Sequence, residues 1–369
     1  MMKKRQMFWI IACSLLLHCN CRGSQSQNHH ILDTDSVQQL LIKPPYLASY
    51  SDSVITYVIE RLSIPSYGIY LWAELYLPSR TGTYPLLILT HGGFNEFDLI
   101  MSAPLYYAPR LAHSGIAALV YHKRGTGESG GVYALSTLDD FINDIGSIAC
   151  FLSQHPNIDS TRIGVLGGSA GGIDGAIAAS RSPIIRWVVS NSAPIVPGEE
   201  LRNYNIENAL RLRGFPDSLV QVAMPHWKRH HALWAQNDTN GLKLFAAEII
   251  ELRKQYDPLL LPSTYEEVFS DSSLIPFRPF FNSAGRNDGF SDIKNLKSRW
   301  LCIFGKKDNI IPVQSSIENI QAFMSANGNE EHTIVVLPNA DHNFYDAEQD
   351  RYIPVIRIIL NWLKTNGFF

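Results

Sequence analysis

A serine stands at the joint between a strand-like run and a small-residue run in Ile163-Gly164-Val165-Leu166-Gly167-Gly168-Ser169-Ala170-Gly171-Gly172. The spacing is G-x-S-x-G, with Gly167 two before and Gly171 two after Ser169. A serine at the tip of so sharp a strand-to-helix turn presents its hydroxyl outward, and the flanking glycines leave room for the two chain arms. A serine hydroxyl is a weak nucleophile and needs a base within hydrogen-bond reach, itself oriented by an acid. Two later turns supply both types. The strand-like Trp300-Leu301-Cys302-Ile303-Phe304 runs into Gly305-Lys306-Lys307-Asp308, and His332-Thr333-Ile334-Val335-Val336-Leu337 runs into Asn339-Ala340-Asp341-His342.

By itself the glycine-flanked serine also fits a phosphate-type loop or an ordinary strand-to-helix turn. The order serine, acid, histidine, each at the end of a strand, favours nucleophilic catalysis, with Ser169, Asp308 and His342 as the constellation. Competing residues fit less well. His332 begins a strand and reads as a surface or edge residue. Asp341 adjoins His342, and sequence neighbours point apart. Asp288 and Asp292 precede the acid-bearing strand and remain a minor alternative for the acid.

Four separated motifs together resemble the α/β-hydrolases over most of the chain after about residue 50. They are His91-Gly92-Gly93-Phe94 after the strand Leu86–Leu89, Arg124-Gly125-Thr126-Gly127-Glu128-Ser129 after Ile116–Val120, the serine turn, and the acid and histidine turns. The resemblance implies an α/β fold with a mostly parallel eight-stranded sheet flanked by helices. It also implies Ser169 as nucleophile, His342 as base and Asp308 as the acid, with the backbone N–H groups of Ala170 and Gly93 as the oxyanion hole and Phe94 next in line. His91 would brace that turn, and Arg124 and Glu128 would order theirs. The Arg124–Ser129 turn is similar to that of bacterial carboxylesterase D-type enzymes and of related serine aminopeptidase and bile-acid-CoA thioesterase-like groups. Such relatives usually carry Asp at the position of His122 and often His at that of Gly168.

The reaction implied is hydrolysis of a carboxylic ester through an acyl-enzyme, with a small-molecule ester or short acyl or peptide substrate and no cofactor. A serine peptidase, an acyl-CoA thioesterase and a ligand-binding pseudo-hydrolase are the alternatives. A net charge of −3 with no Lys/Arg stripe argues against a nucleic-acid partner. Hydrophobic content of 46% and charged content of 18% describe a globular chain.

The elements follow from periodicity. Val54–Leu62 and Ile69–Leu77 alternate around Ser66-Tyr67-Gly68 as an edge hairpin. Leu138–Leu152 carries a helical apolar stripe. After the strand Ile184–Ser190 the pattern breaks for about 100 residues, too long for a bare connection. There Ile206–Arg213, Asp217–Met224 and Lys243–Tyr256 read as amphipathic helices. They divide the chain into a core over residues 51–197 and 298–369 and a mainly helical cap insertion over 198–297, to which Trp227, Trp234, Phe277, Phe280 and Phe281 add aromatic bulk. Tyr352–Leu363 reads as a closing helix.

At the amino end, Lys3-Lys4-Arg5 precedes an apolar run from Met7 to Leu17, only about half the ~20 residues that span a bilayer. Residues 1–19 read as an export signal, with Cys19 as the residue lipidated in a lipoprotein, and residues 20–50 as a tether and N-terminal segment. The expectation is an exported protein of the cell envelope with a possible membrane tether through Cys19. Five cysteines form no disulfide framework, and Cys150 and Cys302 read as small buried hydrophobes. The adjacent pairs His29-His30 and His230-His231 are poor chelators, so no metal site is expected.

Overall fold

A computed structural model describes residues 31–32, 57–79, 81–92, 102–236, 238–262 and 289–369. The strands are β1 (Ile31–Leu32), β2 (Val58–Ser66), β3 (Ile69–Leu77), β4 (Tyr84–Thr90), β5 (Ala117–Tyr121), β6 (Ile158–Gly168), β7 (Ile185–Asn191), β8 (Arg299–Gly305) and β9 (His332–Leu337). They form one sheet in the order β1-β9-β8-β7-β6-β4-β5-β3-β2. The eight strands expected are present, and the two-residue β1 adds a ninth at the edge, parallel to β9. Within this sheet, among the described residues, β2–β3 and β3–β5 pair antiparallel and the remaining pairs are parallel.

Burial explains the composition of each strand. β4 and β5 are buried along almost their whole length, as expected of parallel strands covered on both faces, and both are continuous apolar runs. β2 alternates between inward and exposed positions along its whole length because it is an edge. Its turn is the two-residue Tyr67-Gly68, with φ of 42° and 83°, the geometry that suits a right-twisted hairpin.

Helices cover both faces. On one side α2 (Leu138–Leu152), α3 (Ala170–Arg181) and α7 (Val313–Asn327) close a core with Trp300 and Phe304; on the other, α1 (Ser102–His113) and α8 (Val355–Thr365) cover Leu89, Leu166 and Ile303. α2 keeps its expected bounds, fixed by a capping box between Thr137 and Asp140. α8 begins three residues later than expected. Pro354 precedes its first residue, and Tyr352 pairs instead in a small ribbon of β10 (Tyr345–Asp346) with β11 (Arg351–Tyr352).

Between β7 and β8 the chain is helical where described: α4 (Gly198–Leu212), α5 (Asp217–Ala235) and α6 (Thr239–Leu252). α4 starts eight residues before the expected Ile206, because its first turns bury Arg202 and Asn205 beside Leu201 and so lack apolar periodicity. α5 runs on through Pro225, held by Trp227, which is buried and donates its indole N–H to the Leu260 carbonyl at 3.0 Å. α6 begins four residues before the expected Lys243, where Asp238 caps Gly241 N. These helices have apolar clusters of their own around Trp227 and Phe245. Trp227 packs in the first of these clusters and Trp234 bonds His230 of its own helix, while Phe277, Phe280 and Phe281 lie outside the described residues, as do residues 1–30 with Cys19 and the His29-His30 pair.

Two residues depart from expectation. Cys302 is buried in β8, but Cys150 is exposed, because it falls off the stripe that carries Ile148, Ala149 and Leu152 inward. His332 is buried rather than at the surface, paired with Trp300 at the start of β9. No helix among the described residues is long and apolar enough to cross a membrane.

Burial also holds one residue of α5 out of its ordinary protonation range. His230 is buried and accepts the Trp234 indole N–H on Nε2 at 3.0 Å, and burial pushes it down to about 4 from 6.5. Between those values the unfolded chain takes a proton that the folded chain refuses, so stability falls as pH falls through this window. Urea denaturation at pH 6.5 and 4.5 should show this loss reduced in His230→Gln by roughly 2 kcal/mol relative to the parent. Equal losses in both proteins would contradict a neutral buried imidazole.

Candidate active site

The chain crosses from β5 over β4 to β6, so the order of strands reverses around β4. Crevices at the carboxyl ends of strands beside such a reversal are where ligands bind in open α/β sheets. The turns after β4 and β6 meet there.

Ser169 follows β6 directly and adopts φ 52°, ψ −126°, a strained conformation for a residue with a side chain. Close packing enforces it. A β-carbon at Gly167 would lie 2.2 Å from the Gly171 carbonyl oxygen, and one at Gly171 would lie 2.6 Å from that of Thr90. A β-carbon at Gly92 would lie 2.6 Å from the Gly168 oxygen and 2.7 Å from Ser169 Cβ. The His91-Gly92 turn therefore lies against the serine turn, and only glycines permit it. Ala170, at the start of α3, is 3.3 Å from the same point. Gly93 and Phe94 lie outside the described residues.

His342 and Asp308 are brought together. His342 Nδ1 donates to Asp308 Oδ2 at 2.7 Å, which leaves Nε2 as the accepting nitrogen of the neutral ring. The Asp308 side chain is fully buried; its Oδ1 accepts the N–H groups of Ile310 at 2.8 Å and Ile311 at 3.0 Å. Helix α4 reaches the same loop, where the Tyr204 hydroxyl donates to the Asp308 carbonyl at 2.9 Å. Asp341 faces away: its Oδ1 accepts from the N–H groups of Asn343 and Tyr345 and shapes the turn. Asp292 is paired with Arg181 at 2.7 Å, and Asp288 lies outside the described residues.

The end of β7 connects the two halves. Asn191 O accepts from Ser169 N at 2.8 Å, and the next residue, Ser192, donates its hydroxyl to the His342 carbonyl at 2.9 Å. Ser192 is buried with φ 47°, and its own N–H bonds Ile303 O at 2.8 Å. Consecutive residues thus hold the backbones of Ser169 and His342. Sequence reasoning missed Ser192; nothing in Asn191-Ser192-Ala193 marks it.

Arg124 and Glu128 both take part in ordering their turn, and Arg124 also anchors it to a helix. Arg124 makes a two-pronged contact with Asp144 on α2, at 2.8 and 2.7 Å, and a third bond to Asp140 at 2.9 Å, and so ties the turn to the helix that covers the sheet. Glu128 contributes its N–H, which the ring of His122 accepts on Nδ1 at 3.0 Å. His122 stacks on Trp72, with centroids 4.4 Å apart. An imidazole here does the backbone-accepting work open to a carboxylate. Burial lowers its pKa, so it remains a neutral acceptor at physiological pH.

Behind the His91-Gly92 turn lies a buried charged pair, Lys123 Nζ and Asp174 Oδ2, 3.8 Å apart. Burial pushes Asp174 up to about 6 against the pull of Lys123, and it pushes Lys123 down. His91 is pushed down to about 3 by burial and by Lys123, so it stays neutral, and its Nδ1 donates to Gly92 O at 3.1 Å, bracing the turn as expected. A charged residue within the small-residue run Gly171–Ala176 was the available signal for a buried partner. Among the described residues, no group of three His, Cys, Asp or Glu side chains could hold a metal ion.

Residues 87–355 match the alpha/beta hydrolase family profile. The chain belongs to the α/β-hydrolase family. Over 165 residues it is 30% identical to the uncharacterized protein PA2218 of Pseudomonas aeruginosa, covering 44% of this chain and 43% of that protein. Over another 165-residue match it is 30% identical to thiohydrolase aneE of Aspergillus aculeatus, covering 44% and 46%. The matches thus span less than half the length of these curated relatives. Among solved structures, the Pyrococcus furiosus esterase PF2001 superposes with a TM-score of 0.53 at 17% identity, over 94% of this chain and 99% of the other. PA2218 superposes with a TM-score of 0.54 at 18% identity, over 88% and 98%. These two superpositions speak to the fold alone.

Proposed function

We propose that this hydrolase cleaves carboxylic esters through an acyl-enzyme, with Ser169 as nucleophile, His342 as general base and acid, and Asp308 as the group that orients it. The observation that carries the reading is the 2.7 Å bond between His342 Nδ1 and the buried Asp308 carboxylate. It is joined through Ser192 and Asn191 to a serine at φ 52°.

The mechanism follows from these groups. Nε2 of His342 takes the hydroxyl proton as Ser169 Oγ attacks the ester carbonyl, and Asp308 stabilises the imidazolium that forms. The proton then passes to the departing alcohol, and water repeats the sequence to release the acid. Charge on the tetrahedral oxygen needs fixed donors; the Ala170 N–H and that of Gly93 are assigned this role, each worth on the order of 10²–10³ in rate where such donors have been removed. The helices after β7 act as a cap over the mouth. Residues 1–19 direct export, with Cys19 as the lipid attachment point that would hold the enzyme at the cell envelope.

A thioester substrate is the second reading, favoured by the 30% identity to a thiohydrolase. Purified protein assayed with p-nitrophenyl esters, acyl thioesters and aminoacyl p-nitroanilides separates the classes. Turnover of the oxygen esters at a higher kcat/KM than the other two is expected. A preference for the thioesters would move the assignment to thioester hydrolysis, and a preference for the anilides to a peptidase.

A further inference from the structure

Backbone strain in this protein gathers at the site. Among the described residues, five that are not glycine have positive φ: Tyr67, Ser169, Ser192, Phe344 and Asp350. Tyr67 and Asp350 lie in the turns that join β2 to β3 and β10 to β11, where such angles reverse the chain. The other three are the proposed nucleophile, a residue that bonds the His342 backbone, and a residue two past His342. A side chain at such an angle costs free energy and persists only where its surroundings fix it.

For Ser192 those surroundings are the run Ser190–Ala193, pinned at every residue. The Ser190 hydroxyl donates to Gly172 O at 3.0 Å and accepts the Trp300 indole N–H at 2.9 Å. Asn191 donates its side-chain NH₂ to the Tyr107 hydroxyl of α1 at 3.2 Å, while its carbonyl accepts the Ser169 N–H at 2.8 Å. Ser192 gives its N–H to Ile303 O of β8 at 2.8 Å. Ala193 is buried against α3, so close that a β-carbon at Gly172 would lie 2.8 Å from its own. The run is thus tied to α1, α3 and β8 through contacts that do not use the Ser192 hydroxyl. That hydroxyl goes instead to the His342 carbonyl, at 2.9 Å.

Glycine would adopt a φ of 47° without strain. The strain at Ser192 comes from its β-carbon, and the hydroxyl carried on that β-carbon is what the protein gains. We propose that Ser192 is a positioning residue for proton transfer: its hydroxyl fixes the His342 main chain relative to Ser169, so that the ring moves protons along a preset path. The assignment rests on Ser169 and His342 as nucleophile and base. The ring acts on protons in the transition state and is not needed to bind the ester, so loss of the hydroxyl falls on kcat rather than on KM.

Ser192→Gly and Ser192→Ala test this together, because both remove the hydroxyl and only alanine keeps the strained β-carbon. With p-nitrophenyl acetate, kcat should fall roughly 10- to 100-fold in both variants, with KM within about twofold of the parent. Their stabilities should differ, with the Tm of Ser192→Gly above that of Ser192→Ala. Equal losses of kcat at unequal Tm separate the hydroxyl from the backbone angle. A kcat within about twofold of the parent in either variant would overturn the proposal. So would losses of kcat that follow the order of Tm, or a Ser192→Gly protein that does not fold. Fluorophosphonate labelling of the same proteins keeps this result apart from the nucleophile assignment. Slower modification of Ser169 is expected in both variants, whereas a parent protein that is not modified at Ser169 would remove the nucleophile and the positioning role with it.

Discussion

Ser169→Ala is expected to lower kcat for p-nitrophenyl esters by on the order of 10⁴–10⁶, the range seen when the nucleophile of a serine hydrolase is removed. The size follows from what the substitution deletes. Without Oγ no acyl-enzyme forms, and only donors and binding contacts remain to assist direct attack by water. The scaffold is left in place: alanine keeps the β-carbon against Gly92, and the backbone N–H of residue 169 still bonds Asn191 O. The strain of φ 52° falls on alanine as it does on serine. Thermal unfolding should accordingly change little. Retention of activity within tenfold of the parent would mean that another group attacks the substrate.

Asp308→Asn carries the next largest effect, a loss of roughly 10³–10⁴ in kcat. The carboxylate now accepts three hydrogen bonds, from the Ile310 and Ile311 N–H groups through Oδ1 and from His342 Nδ1 through Oδ2. An asparagine oxygen that keeps the two backbone donors turns its NH₂ toward His342. The ring must then present Nδ1 as acceptor and carry its proton on Nε2, the wrong tautomer for the general base proposed. Asp341→Asn is the comparison that isolates this effect, because Asp341 bonds only the turn N–H groups of Asn343 and Tyr345. Its kcat should stay within about threefold of the parent while Asp308→Asn collapses. Equal losses in the two variants would remove Asp308 from the orienting role.

Much of the fold was legible because the sheet is buried on both faces: Leu86–Leu89, Ala117–Val120 and Trp300–Phe304 can only be strands inside such a layer. Gly167 and Gly171 were legible for a related reason, since a β-carbon there would lie 2.2 and 2.6 Å from a neighbouring carbonyl oxygen. Helix boundaries were less clear where polar residues are buried. The start of α4 hides behind Arg202 and Asn205, and the run of α5 through Pro225 depends on Trp227 finding the Leu260 carbonyl, a contact 33 residues away in sequence.

The site divides along the same line. Ser169, Asp308 and His342 stand in local motifs at the ends of strands, so their positions could be read from the chain. Ser192 could not, because its importance comes from a bond to His342 across 150 residues and from a backbone angle no neighbouring residue announces. Arg124 illustrates an intermediate case. Its turn was evident, but its partners Asp140 and Asp144 belong to a helix whose exposed and buried acids look alike in sequence.

If Ser169 is an activated nucleophile, as proposed, it must react covalently with an electrophile that mimics an acylating substrate. The protein is incubated with a fluorophosphonate at neutral pH, digested, and the modified residue located by peptide mass spectrometry, with Ser169→Ala and His342→Ala treated alongside. One modified residue, Ser169, is expected, with no adduct in Ser169→Ala and labelling slowed by at least about a hundredfold in His342→Ala. An unlabelled parent protein, or an adduct on a different serine that persists in Ser169→Ala, would contradict it.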